Sequence, residues 1–148
     1  ALLGKTAIAN ARAAYAKFLE IFDGARFAKL KEAGAQVQRL LWASTGTKNP
    51  SYSDVLYVEE LIAERTVNTM PPATFEAYRD HGQPAARLLP ALAEAPRTLQ
   101  QVAALGIDLD AIPEQLEREG VEAFIASYRN LLQALTAKMA ALKQQAEA

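Results

Sequence analysis

"VQRLLWASTGTKNPSYSDVLYVEELIAERTVNTMPP", residues 37–72, decides the fold. Its opening run, 37–43, is apolar, too short for a helix and bounded by Gly34 and Gly46, which reads as a strand. The apolar residues follow one another without strict alternation, the pattern of strands covered on both faces by helices. Ser53 or Asp54 can cap a helix over 54–63, and TVNTM at 66–70 is a second short β-branched run closed by Pro71 and Pro72. Strand, helix and strand within about 35 residues make a parallel βαβ unit.

Working outward, residues 5–22 place Ile8, Ala11, Tyr15, Phe18, Leu19 and Phe22 at spacings of three and four, an amphipathic helix stopped by Asp23-Gly24. A short helix over 25–32 ends at Gly34. On the other side, proline in the first turn opens a helix that ends at Gly82. Beyond it come a Pro- and Ala-rich connection, a helix stopped by Gly106, another over IPEQLEREG, and a long helix over about 121–144. The last carries Val121, Phe124, Ile125, Tyr128, Leu131, Leu132, Leu135 and Met139 on one stripe. The Tyr and Phe stripes at helical spacing are expected to be core. We divide the chain at 1–95, carrying both strands, and 96–148, a helical segment.

Two parallel strands leave outer edges unpaired and need helices on both faces. The expectation is therefore an α/β, helix-dominated piece of a larger body. An opening Ala already inside a helical pattern points the same way.

Composition narrows the function. With 148 residues, 16 basic, 17 acidic and a net charge of −1, the chain has one domain's length and lacks the basic footprint of a nucleic-acid binder. No Cys is present, which removes disulfides and thiolate metal sites, and no apolar run approaches the roughly 18 residues of a membrane span. The expected compartment is the cytoplasm, with no metal, cofactor, nucleic-acid or membrane partner.

The chemistry-bearing residues lie where the strands end. In parallel sheets and barrels, ligands sit at the carboxyl ends of strands, because loops there stand on rigid support. Ser44, Thr45 and Thr47 offer hydroxyls, Gly46 allows close backbone approach, and Lys48 offers a positive charge for a phosphate or an amine for carbonyl chemistry. The alternative is an ordinary polar turn with Lys48 in solvent. Gly46-Thr47-Lys48 does not fit a nucleotide-binding P-loop, since Thr precedes the Lys and Asn follows it. At the second strand end, Asn68 could bond a sugar hydroxyl or pair with the neighbouring loop. His81, the single histidine, sits at a helix C-terminus and reads as a cap. Glu59-Glu60 and Glu117-Arg118-Glu119 read as solvated helix faces.

KTAIANARAAYAKF (5–18), QRLLWASTGTKNPSYSDVLYVEELI (38–62), TVNTMPPATFEAYRDHG (66–82) and GIDLDAIPEQLEREGVEAFIASYRNLLQAL (106–135), in this order and spacing, resemble the C-terminal part of bacterial transaldolases. The likeness is to the longer class, sometimes fused to glucose-6-phosphate isomerase. It implies the C-terminal portion of a (β/α)8 class I aldolase-type barrel, in an enzyme of the pentose phosphate pathway. Such enzymes form a lysine Schiff base with a ketose phosphate and hand a dihydroxyacetone unit to an aldose phosphate, with an Asp and a Glu managing the protons. Implied partners are fructose 6-phosphate, sedoheptulose 7-phosphate, erythrose 4-phosphate and glyceraldehyde 3-phosphate, the N-terminal part of the barrel, and a possible second copy. The family's Schiff-base lysine lies in a segment resembling "IKIPAT" and its main phosphate-binding arginine in one resembling "FFVSRVD"; this sequence contains neither. No catalytic residue is therefore assigned in this chain. Ser44 matches a substrate-contacting serine of the family, and Lys48 falls where relatives carry a second basic phosphate contact. With Thr45 and Asn68 from the strand ends, these form the candidate substrate and phosphate contacts. Ala63-Glu64-Arg65 replaces the Gly-Pro-Asp more usual in the family, which alters a turn. The competing reading is a non-catalytic, mainly helical binding or assembly module derived from such a barrel.

Overall fold

A computed structural model describes residues 2–146. The elements run α1 (Thr6–Phe22), α2 (Ala25–Glu32), β1 (Leu40–Trp42), α3 (Leu56–Glu60), β2 (Thr66–Asn68), α4 (Pro72–His81), a 3-10 turn (Leu92–Glu94), α5 (Ala95–Ala103) and α6 (Ala111–Ala146). They fall into two compact units, one ending at Leu105 and one beginning at Gly106.

In the first unit, β1 and β2 pair in parallel with α3 between them, in the register Leu40 to Thr66, Leu41 to Val67 and Trp42 to Asn68. This is the βαβ unit that residues 37–72 predict, with a shorter ladder than the 37–43 and 66–70 runs suggest. Only three residues of each strand find a partner, because the described sheet has two strands. Coverage on both faces does not hold within this chain: Trp42 is buried, whereas Leu41, pointing to the opposite face, is 54% exposed.

The covered face rests on α1. Ile8, Tyr15, Phe18, Trp42, Leu61 and Leu88 form one buried cluster, as the α1 stripe predicts. Each buried aromatic of this size contributes about 1.5–3 kcal/mol through surface removed from water. The polar ends of the rings find acceptors: Trp42 Nε1 donates to the Leu61 carbonyl at 3.1 Å, and the Tyr15 hydroxyl to the Glu64 carbonyl at 3.2 Å. These two bonds tie β1 and α1 to the segment between α3 and β2. Arg65, at a positive φ of 58°, grips Asp23 with both guanidinium ends at 2.8 and 2.9 Å and lies 4.8 Å over the Phe18 ring.

In the second unit, the helix over IPEQLEREG and the long helix are one element of 36 residues. Gly120 does not break it. A mid-helix glycine costs about 1 kcal/mol relative to alanine, and no left-handed φ occurs there to end the helix. Asp108 opens it: its Oδ1 accepts from the amides of Asp110 and Ala111 at 2.9 and 3.0 Å, which holds its carboxyl below the usual range. The Tyr and Phe stripe of this helix is not core, contrary to expectation. Phe124 is 82% exposed and Tyr128 62%, because α6 is the single described helix of its unit and has no neighbour there to cover it.

Candidate functional site

Both strands end on the same side, since they are parallel, and their loops meet there. Thr69 continues the ladder by donating its amide to the Trp42 carbonyl at 2.9 Å, and the Thr45 amide returns to the Thr69 carbonyl at 3.2 Å. The two loops are thus stitched by backbone bonds before any side chain acts.

Side chains complete the stitching. The Thr45 hydroxyl, on a buried residue, donates to Asn68 Oδ1 at 2.7 Å and lies 3.3 Å from the Thr69 carbonyl. The Thr69 hydroxyl donates to the Trp42 carbonyl at 3.2 Å and accepts from the Ser44 amide at 3.3 Å. Ser44 thereby stays at a φ of 52°, a left-handed conformation costing a residue with a Cβ about 1–2 kcal/mol. Its side chain is exposed, and its hydroxyl makes no hydrogen bond among the described residues.

Gly46 sits where any side chain would collide. A Cβ there would meet Pro71 Cγ at 2.9 Å and Thr74 Oγ1 at 3.0 Å. The loop therefore lies flat against the start of α4, and Thr47 follows with its hydroxyl oxygen buried and unpartnered. Lys48 is exposed and makes no ion pair among the described residues. Beneath the loop opens a cleft of about 340 Å³, lined among others by Trp42, Ser44, Thr45, Gly46 and Tyr57.

Of the four residues singled out in the sequence, Thr45 and Asn68 come together as a hydrogen-bonded pair, while Ser44 and Lys48 stand free at the mouth. Asn68 has its carbonyl oxygen engaged by the neighbouring loop. Thr69, which the sequence places beside Asn68 at the second strand end, is the residue that holds Ser44.

Residues 1–135 match the family Transaldolase/Fructose-6-phosphate aldolase. The chain belongs to this family. It is 52% identical over 145 residues to a protein named Transaldolase from Mycolicibacterium smegmatis, which takes in 97% of this chain and 39% of the relative. It is 51% identical over 131 residues to one of the same name from Thiobacillus denitrificans, with 88% of this chain and 36% of the relative covered. A third, from Thermobifida fusca, is 47% identical over 142 residues. This member of the transaldolase family thus spans 36–39% of the length of these curated relatives.

Two acidic residues read from the sequence as solvated are not. Glu59 is only 15% exposed and accepts from Arg87 at 2.6 Å and from the Gln83 amide at 2.8 Å; Glu60, 27% exposed, accepts from Arg12 at 2.7 Å. Their partners lie 24–48 residues away in the chain, beyond the reach of a local pattern. His81 ends α4, as its cap reading requires, but its ring also bridges Asp54 at 2.9 Å and Asp80 at 3.1 Å. The hydrogen bond to the Asp54 carboxylate, then that to Asp80, raises the imidazole's pKa, and His81 in turn lowers that of Asp54. Among the described residues, no cluster of His, Asp and Glu is placed to hold a metal ion, and no helix is long and apolar enough to cross a membrane.

Proposed function

We propose that this chain is the C-terminal segment of a transaldolase, forming the last two strands and closing helices of a (β/α)8 barrel. The parent enzyme would transfer a dihydroxyacetone unit between sugar phosphates through a lysine Schiff base, in the cytoplasm. The observation that carries this reading is the convergence of two parallel strand ends on one polar mouth, in a chain about half identical to proteins named Transaldolase. The face of β1 that exposes Leu41 is the face a barrel interior would cover.

In this mechanism the mouth binds and orients. Ser44, held in its strained conformation, presents a hydroxyl to the sugar. Lys48 meets the phosphate, its compact ammonium on a flexible stem suiting a clamp on an anion. Thr45 and Asn68 hold the mouth in shape, and the phosphate charge fixed by Lys48 orients the reacting end without joining the covalent chemistry. The imine-forming lysine is supplied by the rest of the barrel, so the 148-residue chain by itself is inactive.

Kinetics of the full-length parent test the assignment. Lys48→Gln should raise KM for fructose 6-phosphate about ten-fold or more, the scale of one charge-assisted bond, with a smaller effect on kcat. An unchanged KM contradicts the phosphate role.

A further inference from the structure

The loop that carries Lys48 is attached to α4 at both ends. At its start, Gly46 lies so close to α4 that a Cβ there would meet Pro71 Cγ at 2.9 Å and Thr74 Oγ1 at 3.0 Å. At its finish, Asp54 Oδ1 lies 2.9 Å from Nε2 of His81, the last residue of α4. Between these attachments the chain turns on itself. Asn49 Oδ1 accepts from the Ser51 amide at 3.0 Å and from the Ser51 hydroxyl at 2.8 Å, and the Asn49 carbonyl accepts from the Tyr52 amide at 3.1 Å. Lys48 stands exposed at the outset of this turn.

The two attachments differ in kind. The contact at Gly46 is steric and indifferent to pH, whereas the contact at His81 depends on a proton. Both ring nitrogens face carboxylate oxygens, Nε2 that of Asp54 and Nδ1 that of Asp80 at 3.1 Å. An ionised carboxylate only accepts, and a neutral imidazole has one N–H, so both bonds form only with the imidazolium. On losing its proton the ring sets a lone pair against one of the two carboxylates, and the attraction of opposite charges at Asp54 is gone. Asp54, on the approach to α3, and Asp80, on α4, are the charged groups that face the ring among the described residues. Arg79 of α4 is paired with Glu76 at 2.6 Å, and Glu59 of α3 is taken by Arg87 at 2.6 Å and by the Gln83 amide at 2.8 Å. The hydrogen bonds to Asp54 and Asp80 hold the imidazole above its ordinary 6.5, and Asp54, lowered in turn, stays ionised through that range.

We propose that His81 is a positioning residue for the mouth: when protonated, its ring pins the far end of the Lys48 loop to α4, and phosphate binds more strongly in that state. The inference rests on the phosphate role proposed for Lys48 and adds its regulation by pH. A loop fixed at both ends has less conformational entropy to lose when Lys48 engages an anion. His81 acts through the loop and not on the substrate. Its pair with Asp54 is exposed, so the change in affinity is about two- to five-fold, the range that a surface ion pair supports.

Kinetics of the full-length parent from about pH 6 to about pH 8.5 test it, with the native protein, His81→Gln and Asp54→Asn compared at each pH. The substrate's phosphate titrates with a pKa of about 6 for all three proteins alike, so the ratio of their KM values isolates the part that His81 plays. The expected KM for fructose 6-phosphate is about two- to five-fold lower in the native protein than in either variant at the acidic end. The values converge at the alkaline end, and the kcat ratio stays flat throughout. Deuterium uptake by the peptide spanning 46–54 reads the loop without substrate: at matched pH it should be slower in the native protein than in His81→Gln at the acidic end, and equal at the alkaline end. A KM ratio that does not change with pH, a pH-dependent ratio confined to kcat, or equal uptake at both ends overturns the proposal. If His81→Gln does not fold, Asp54→Asn decides, because it removes the same contact from the other side. Lys48→Gln separates the two readings. A raised KM in that variant with a flat His81 profile removes the pH device and leaves the phosphate role standing, whereas an unchanged KM removes both.

Discussion

The Thr45 hydroxyl donates to Asn68 Oδ1 at 2.7 Å, joining the loops that follow the two parallel strands. The residues are 23 apart in sequence, and their bond lies just beyond the last ladder pair, Trp42 to Asn68. Thr45→Val keeps the shape and removes the donor, leaving a half-buried acceptor unpaired. Stability should fall by about 1–2 kcal/mol in denaturant unfolding, and Thr45→Ser should restore most of it.

Gly46 is where the mouth tolerates no side chain. Gly46→Ala puts a Cβ 2.9 Å from Pro71 Cγ, so the loop or the start of α4 must shift. Overpacking of this kind costs about 1–3 kcal/mol. The measured unfolding midpoint should drop, with NMR shift changes centred on residues 44–47 and 71–74; an unperturbed alanine variant would contradict the close approach.

His81 gives the pH response a definite sign. Its pKa is raised above the ordinary 6.5, chiefly by Asp54, so its contribution is fully present below 6.5 and is lost as pH rises through the folded value. Asp54 is lowered below its ordinary 3.8, so its contribution is present above 3.8 and is lost as pH falls through the folded value. The clamp between α4 and the approach to α3 is therefore complete between 3.8 and 6.5. The unfolding midpoint of the native chain, relative to His81→Gln, should be higher at the acidic end of that window and converge above it. Parallel profiles would contradict the pairing.

The exposed stripe of α6 predicts association. Phe124, Tyr128, Leu131 and Leu135 are each at least 49% exposed on one helix, a contiguous apolar face of the kind that seeks cover. Sedimentation of the isolated chain should show concentration-dependent self-association, reduced by Phe124→Glu with Leu131→Glu. A clean monomer at all concentrations would contradict the need for cover.

What the sequence disclosed follows from the range of each interaction. The βαβ unit was legible because β-branched and apolar runs and turn residues are all local to 37–72; the expected cap by Ser53 or Asp54 and the 54–63 bounds were not met, since α3 runs Leu56–Glu60 behind Val55 with no side-chain cap. The α1 core was legible because Ile8, Tyr15 and Phe18 share a helical face. The union of the last two helices was not: a glycine stops a helix only where the backbone leaves the helical region, as at Gly82, and Gly120 stays within the helix. The partial burial and pairing of Glu59 and Glu60 were illegible because Arg87 and Arg12 reach them from 28 residues after and 48 before. At the mouth, residue types announced polar side chains, but only the three-dimensional pairing separates Thr45 and Asn68, bonded to each other, from Ser44 and Lys48, exposed and with no side-chain partner among the described residues.

The central claim is that this chain orients substrate while another part of the barrel supplies the covalent lysine. Borohydride reduction of the full-length protein in the presence of fructose 6-phosphate, followed by peptide mapping, tests it most directly. The account predicts a single reduced adduct on a lysine outside these 148 residues; an adduct on Lys48 would contradict it.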